Sequence, residues 1–206
     1  MNWQRFDLPG ADVRLAQFCD ARDAERWFAR LHAEIPWERH RLRIFGREVD
    51  SPRLSCWIGD AAAVYTYSDS RFVPHAWTPA TAELREYISA HCGERCNSVL
   101  ANLYRDGHDS MGWHSDNEPE LGPEPAIFSF SFGAVRRFRL RHRHDPGLRL
   151  ELDLPSGSLL RMAGTTQRFY RHDLPKTARA VAARINLTFR FCAPMPRADA
   201  DTMRGV

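Results

Sequence analysis

The chain has 206 residues, of which 43% are hydrophobic and 27% charged, and its net charge is +3. This length suits one domain with its own core, and this composition excludes a disordered, collagen-like or coiled-coil protein. No apolar run approaches the roughly 20 residues that a membrane span requires. The opening MNWQRFDLPG lacks the features of a secretory signal, so we expect a cytoplasmic protein whose five cysteines are reduced, with no membrane association.

Two helices are predicted in the first half of the chain. Apolar residues recur at helical spacing after Asp20, a typical N-cap, and predict an amphipathic helix over residues 20–35 that Pro36 ends. Thr78 and Pro79 are typical of an N-cap followed by the first helical position. A second helix is therefore predicted from Pro79 to just before Gly93.

From about residue 97 onward the sequence pattern indicates β structure. Short segments with a period of two alternate with turn residues such as Asp106-Gly107. The predicted strands are 98–104, 126–132, 136–143, 148–154, 158–162 and 184–191. Strands at this spacing favour a sandwich or barrel over βαβ units, and no linker divides the chain into two domains.

One candidate metal site is the sequence His114-Ser115-Asp116. In an extended segment the first and third side chains project to one face, so an imidazole and a carboxylate can bind the same ion. With His172 they would complete the two-histidine, one-carboxylate set of non-haem Fe(II) oxygenases. Taken alone this pair is a weak signal, because a histidine on a surface loop is the commoner situation.

The last predicted strand strengthens the metal hypothesis because it alternates strictly. Its apolar face would carry Ile185, Leu187, Phe189 and Phe191. Its polar face would carry Arg184, Asn186, Thr188 and Arg190. Inside a barrel the two arginines would need an anion, and a dicarboxylate would satisfy both. Asn102 and Tyr104, also two residues apart, would add neutral donors. The alternative is a basic strand face in water.

The chain resembles the AlkB family of Fe(II)- and 2-oxoglutarate-dependent dioxygenases in four segments: NLYRDG at 102–107, WHSDNE at 113–118, the histidine of FYRHDLP, and RINLTFR at 184–190. The similarity extends over roughly residues 40–191. It implies a single, mostly β domain of the α+β class. N-terminal helices and a nucleotide-recognition lid would occupy about 1–96, a double-stranded β-helix (jelly-roll) core about 97–192, and a tail 193–206.

The resemblance also implies cofactors, site residues and an activity. The implied iron ligands are His114, Asp116 and His172. The implied 2-oxoglutarate pocket consists of Asn102, Tyr104, Arg184, Asn186, Thr188 and Arg190. With Fe(II), 2-oxoglutarate and O2, a monomer would oxidatively demethylate 1-methyladenine and 3-methylcytosine in alkylated DNA or RNA, releasing formaldehyde. This would be direct reversal repair.

Several residues are candidates for substrate contacts. Tyr67, in a segment similar to the family's recognition strand, would stack on the flipped base, with Tyr65 as a polar neighbour. Glu118 would accept from the amino edge of the base, and Phe45 would be the apolar wedge of a finger loop. Arg141, in the basic segment 136–143, would contact phosphates. Each also has an ordinary structural interpretation as a core or surface residue.

Two other functions remain compatible with the sequence. In one, the same oxidative chemistry acts on protein or small-molecule substrates. Alternatively, the chain is a non-catalytic binding module with a barrel core, in which the histidines and arginines serve structure alone.

Overall fold

A computed structural model of the protein describes residues 1–44, 47–63, 65–67 and 70–193. Its helices are α1 (Ala21–Glu34), α2 (Pro79–Cys92) and the short α3 (Thr166–Phe169), with a 3-10 turn at Pro119–Leu121. The strands of the N-terminal half are β1 (Gln4–Phe6), β2 (Asp12–Gln17), β3 (Arg41–Ile44), β4 (Arg47–Asp50), β5 (Leu54–Gly59), β6 (Tyr65–Tyr67) and β7 (Ser70–Phe72). The later strands are β8 (Ser98–Tyr104), β9 (Met111–His114), β10 (Ile127–Gly133), β11 (Arg136–His142), β12 (Arg149–Leu154), β13 (Ser158–Ala163), β14 (Tyr170–Leu174) and β15 (Arg184–Arg190).

Both predicted helices are confirmed, together with the residues that begin and end them. The Asp20 carboxylate accepts from the Asp23 N–H at 2.8 Å, which satisfies one of the free donors at the start of α1. At the start of α2, the side chains of Thr78 and Thr81 each accept from the other residue's backbone N–H. Gly93 ends α2 with φ at +70°, a left-handed conformation that glycine adopts without strain.

Seven antiparallel strands form the major sheet, in the order β1-β2-β13-β10-β15-β8-β5. On one face of this sheet, Phe130 and Leu187 pack with Leu31 of α1 and Leu84 of α2 in the main hydrophobic core. The opposite face is polar along β10 and β15 because side chains alternate along a strand. The helices therefore cover one face of the sheet and leave its polar face directed at a cavity.

The minor sheet has four antiparallel strands in the order β12-β11-β14-β9. Side chains from β8, β10 and β15 of the major sheet and from β9, β11 and β14 of the minor sheet line one cavity. Two sheets enclosing a cavity, with helices on the outside of one sheet, confirm the predicted jelly roll. Two hairpins, β3-β4 and β6-β7, accompany the sheets. Among the described helices, none has the length and apolar character needed to cross a membrane.

The prediction that β structure begins near residue 97 was incomplete. The structure adds strands β1 to β5 and β7 in the N-terminal half, and β9 and β14 in the C-terminal half. Five of the six residues of β5 are buried, so it shows no alternation. The last predicted strand also ends at Arg190, one residue early, and Phe191 is 48% exposed rather than part of the apolar face.

Candidate metal and cosubstrate site

Two strands of the minor sheet bring His114, Asp116 and His172 together. His114 ends β9 and lies directly opposite His172 of β14 in the antiparallel pair. The Asp116 carboxylate places Oδ1 3.6 Å from His114 Nε2 and Oδ2 4.0 Å from His172 Nε2. One ligand atom from each of the three residues lies within 4.8 Å of the other two. This spacing suits three donors around one ion.

Hydrogen bonds position the His114 ring and the backbone of Ser115 and Asp116. Nδ1 of His114 lies 2.8 Å from the Gly112 carbonyl, so it carries the proton and leaves Nε2 as a free lone pair facing Asp116. The Gln167 side-chain oxygen accepts from the Asp116 N–H at 3.0 Å. Ser115, between the two ligands, donates to the Tyr170 carbonyl at 2.7 Å and ties this segment to β14.

The charges at the site favour a cation. Burial, with the neighbouring His114, lowers the pKa of His172 to about 3, so its imidazole is neutral at physiological pH. Burial alone would raise the pKa of Asp116, but Arg190 and the two histidines bring it to about 2. Two imidazoles and one carboxylate form the donor set that non-haem Fe(II) prefers, and His172 and Asp116 need lose no proton to bind it.

A cavity that opens to solvent lies between the sheets, and the centre of a water-sized sphere can occupy about 50 Å³ of it. His114, Asp116 and His172 all line this cavity. So do the six residues predicted to bind 2-oxoglutarate, namely Asn102, Tyr104, Arg184, Asn186, Thr188 and Arg190. The predicted iron ligands and the predicted 2-oxoglutarate contacts therefore line the same cavity.

Arg184 is the strongest indication that this space binds an anion. The residue is 2% exposed, and its Nη2 donates to Ser131 Oγ at 2.8 Å. Its Nε and Nη1 have no hydrogen-bond acceptor among the described residues. Burial lowers the pKa of Arg184 to about 10, against the opposing effect of the Tyr104 hydroxyl, so the side chain remains charged at neutral pH. A buried charge with unmet donors is costly, and a carboxylate would satisfy it.

Arg190 lies in a different environment at the other end of β15. It is also 2% exposed, but its Nη1 lies 3.8 Å from Oδ1 of Asp116. Its guanidinium carbon lies 5.7 Å from the centre of the Trp57 ring. Arg190 therefore lies where the metal site meets the cosubstrate pocket, whereas Arg184 lies at the end of that pocket away from Asp116.

The chain matches a known family over most of its length. A model of the 2OG-Fe(II) oxygenase superfamily matches residues 12–190. The chain belongs to this superfamily. Its cofactors are accordingly Fe(II), 2-oxoglutarate and O2, and the residues that line the cavity fit them.

Individual relatives of this oxygenase belong to the AlkB group, which confirms the family resemblance. Alpha-ketoglutarate-dependent dioxygenase alkB homolog 3 of Bos taurus is 38% identical over 189 residues, which cover 87% of this chain and 65% of the relative. DNA oxidative demethylase ALKBH2 of Homo sapiens is 34% identical over 199 residues, which cover 92% of this chain and 76% of the relative. The chain thus spans less than two thirds of the length of the first relative.

A solved structure of OsALKBH1 has the same fold. It superposes on this oxygenase with a TM-score of 0.64 at 17% sequence identity, over 92% of this chain and 100% of that chain. At such low identity the likeness concerns the fold alone, and it agrees with the predicted jelly-roll core.

Several residues that support the site were not found from the sequence. Asn186 donates from Nδ2 to Ser129 Oγ at 2.7 Å and accepts at Oδ1 from Thr188, so neighbours satisfy much of its side-chain amide. Arg53 donates to Oδ1 of Asn102 at 2.7 Å and so leaves the amide N–H groups of Asn102 for a ligand. The serines were detectable, because Ser129 and Ser131 alternate with phenylalanines in β10, whereas Arg53 and Gln167 carry no such pattern.

The predicted substrate contacts of this oxygenase fall in several places. Glu118 is half-buried just before the 3-10 turn, two residues beyond Asp116. Arg141 is exposed on the outer face of the minor sheet and does not line the cavity. Tyr65 and Tyr67 begin and end β6, but their side chains lie outside the described residues. Phe45 lies outside the described residues altogether.

Proposed function

We propose that this oxygenase oxidatively demethylates N-alkylated bases, 1-methyladenine and 3-methylcytosine, in DNA or RNA. The observation that carries the proposal is the cavity in which a histidine-aspartate-histidine set and the unsatisfied guanidinium of Arg184 face the same space. The names of the relatives, an alkB homolog and a DNA oxidative demethylase, support nucleic acid as the substrate.

His114, Asp116 and His172 are the proposed iron ligands. When bound, Fe(II) supplies, together with 2-oxoglutarate and O2, the oxidation of the N-methyl group, which leaves as formaldehyde. The chain's part is to hold the donor atoms in place for the ion. The Gly112 carbonyl orients the His114 ring, and the Gln167 side-chain oxygen fixes the backbone of Asp116.

The proposed cosubstrate contacts divide between the two ends of the pocket. Arg184, which has two unused nitrogen donors, binds one carboxylate through paired charge-assisted hydrogen bonds. Arg190, beside Asp116, attracts the negative charge at the metal end. Asn102 and Tyr104 add neutral donors from β8, while Asn186 and Thr188 keep the floor of the pocket rigid.

The proposed substrate contacts follow the family resemblance. Tyr67 stacks on the flipped base and Tyr65 is its polar neighbour. Glu118 accepts from the exocyclic amino group of the base, and its charge favours the positive ring that methylation creates. Phe45 fills the gap that the flipped base leaves in a duplex.

A panel of methylated oligonucleotides tests this function. We expect formaldehyde release from 1-methyladenine and 3-methylcytosine in single strands and duplexes by the iron-loaded protein. Phe45→Ala should reduce the rate on duplexes and leave the rate on single strands unchanged. Equal loss on both would contradict the wedge, and no release from any methylated nucleic acid by the wild type would contradict the function.

We also propose that this oxygenase is a monomer with a cytoplasmic location, and its cysteines are compatible with a reducing compartment. All five are free thiols. Burial raises the pKa of Cys56 and of Cys96 to about 12, so both are protonated and unreactive. They are therefore packing residues, as is usual for a protein in a reducing compartment.

A further inference from the structure

The outer face of the minor sheet carries three rows of charged side chains that run across its strands. In the first row, Arg137 of β11 lies opposite Asp153 of β12. In the second row, Arg139 lies between Glu151 of β12 and Asp173 of β14. Both arginines are neutralised. Arg137 Nε lies 3.3 Å from Asp153 Oδ1, and Arg139 Nε lies 2.8 Å from Asp173 Oδ1.

The third row contains arginines alone. Arg141 of β11 lies directly opposite Arg149 of β12 on one side and Arg171 of β14 on the other. All three are exposed, and none forms an ion pair with an acidic residue in the described part of the chain. Like charges at directly opposed positions destabilise a sheet. This arginine row, residues 149, 141 and 171, therefore carries a repulsion that no acidic side chain in the described part of the chain neutralises.

Trp113 adds an aromatic surface beside the arginine row. The Arg141 guanidinium carbon lies 3.9 Å from the centre of the Trp113 ring, a close cation-π contact. This stacking holds the guanidinium in one position and leaves its N–H donors available. The other arginine at this end of the sheet, Arg143, donates to Ser115 at 2.8 Å and so belongs to the metal site rather than to the row.

We propose that the arginine row binds the phosphodiester backbone of the substrate strand on the reverse side of the sheet that carries the metal site. Arg171 immediately precedes His172, and Trp113 immediately precedes His114. Because side chains alternate, the row and the two histidines lie on opposite faces of the same strands. Three forked guanidiniums spread over roughly 10 Å of neighbouring strands suit successive phosphates.

This role of the arginine row rests on the proposed function, because the bound polyanion is the phosphate backbone of the nucleic-acid substrate. It also limits which arginines of the basic segment 136–143 contact phosphates. Arg137 and Arg139 are excluded because acids neutralise them, and Arg149 and Arg171 are added because strand pairing places them beside Arg141. A strand with one base in the cavity would pass the edge strand β9 and reach the row.

Binding of an unmethylated single-stranded oligonucleotide, followed by fluorescence anisotropy over a range of salt concentrations, tests the row directly. We expect Arg141→Gln, Arg149→Gln and Arg171→Gln each to weaken binding by roughly threefold at low salt. Each should also reduce the slope of log affinity against log salt by about 0.7. Arg137→Gln, on the same strand and face, is the matched control and should bind like the wild type. Equal loss in that control, or wild-type binding by the triple variant, would overturn the proposal.

A length comparison separates this proposal from the proposed function. The triple variant should show an increased KM and an unchanged kcat on a methylated oligonucleotide of about 20 nucleotides. On a methylated trinucleotide, too short to reach the row, both constants should stay at their wild-type values. An unchanged KM on the long substrate would contradict the row even where demethylation is observed. Salt-dependent binding that is lost in the variants would support the row even if the wild type demethylated nothing.

Folding of the variants is checked by their thermal unfolding. Removing one arginine from a row of three relieves repulsion, so Arg149→Gln and Arg171→Gln should unfold at the wild-type temperature or above it. Arg141→Gln also loses the Trp113 contact, so it should unfold close to the wild-type temperature. A loss of oligonucleotide affinity that accompanies unchanged stability therefore reports the loss of a contact and not the loss of the fold.

Discussion

At the scale of single residues, two buried arginines show how their surroundings decide what they do. Arg136 is 3% exposed and donates to the carbonyls of Asp106, Asp109 and Pro175, so its donors are used by the chain itself. Arg184 is equally buried, but two of its nitrogen atoms have no acceptor in the described structure. Arg136 therefore stabilises the loops around it, whereas Arg184 has two nitrogen donors available for a ligand.

This difference predicts opposite results for the same substitution. Arg184→Met removes an uncompensated buried charge, so the free energy of unfolding without 2-oxoglutarate should stay the same or rise by about 1 to 4 kcal/mol. The stabilisation that the wild type gains from 2-oxoglutarate, about 2.7 kcal/mol at a hundredfold excess over Kd, should disappear. Chemical denaturation with and without 2-oxoglutarate, with Fe(II) under anaerobic conditions, measures both quantities.

The matched control is Arg136→Met. It leaves three carbonyl oxygens without their donor, so it should lower the free energy of unfolding by about 3 to 5 kcal/mol. A strong destabilisation by Arg184→Met in the absence of 2-oxoglutarate would mean that the chain itself satisfies this arginine. That result would remove the main argument for an anion in the pocket.

At the scale of secondary-structure elements, the strands with strict alternation were the ones that the sequence predicted well. β8 has the predicted bounds, and β15 differs by one residue, because each has one apolar face towards the helices and one polar face towards the cavity. β14 and β9 were not predicted, since each is short and its charged or aromatic side chains serve the outer face. The site residues on these two strands were first suggested by the His-x-Asp spacing of an extended segment together with His172, and the family resemblance then strengthened that weak signal.

One carboxylate forms hydrogen bonds with both long helices where they meet. Glu34 at the end of α1 accepts from Arg30 Nε at 2.8 Å and from the backbone N–H of Ala80, in the first turn of α2, at 2.7 Å. Burial alone would raise the pKa of Glu34, but the Ala80 N–H and Arg30 bring it below its usual value. The ionised carboxylate also interacts favourably with the N-terminal end of α2.

This lowered pKa makes the helix contact dependent on pH. Because the folded-state pKa of Glu34 lies below its unfolded value of about 4.3, its contribution is complete above that pH and is lost as the pH falls through the folded value. We expect Glu34→Gln to reduce the free energy of unfolding by about 1 kcal/mol at neutral pH. The difference from the wild type should shrink as the pH is lowered below about 4.

Glu83→Gln is the control for this pH effect. Glu83 is exposed and contacts the same Arg30, but in the described structure its carboxylate accepts no hydrogen bond from the helix backbone. Its substitution should change stability by less than about 0.5 kcal/mol, since exposed ion pairs contribute little. Urea unfolding of the three proteins at several pH values measures these differences, and a pH-independent loss in Glu34→Gln would contradict the role of its charge.

At the scale of the whole molecule, the jelly roll brings distant segments into one cavity. The metal-site residues lie on or directly after strands of the minor sheet, and the two arginines of the cosubstrate pocket, Arg184 and Arg190, come from β15 of the major sheet. The resemblance identified these residues from the sequence, since their types and order are distinctive. The arginine row was not predictable in this way, because it depends on the register between β11, β12 and β14, which are not all neighbours in the chain.

The most direct test of the cavity's function is to follow succinate, formaldehyde and restored base together in one reaction. We expect the wild type, given Fe(II), O2 and an oligonucleotide containing 3-methylcytosine, to produce all three in equal amounts and only when 2-oxoglutarate is present. His172→Ala, which removes one proposed ligand, should produce none of them. Restoration of the base without 2-oxoglutarate, or by His172→Ala at the wild-type rate, would contradict the assignment of this cavity.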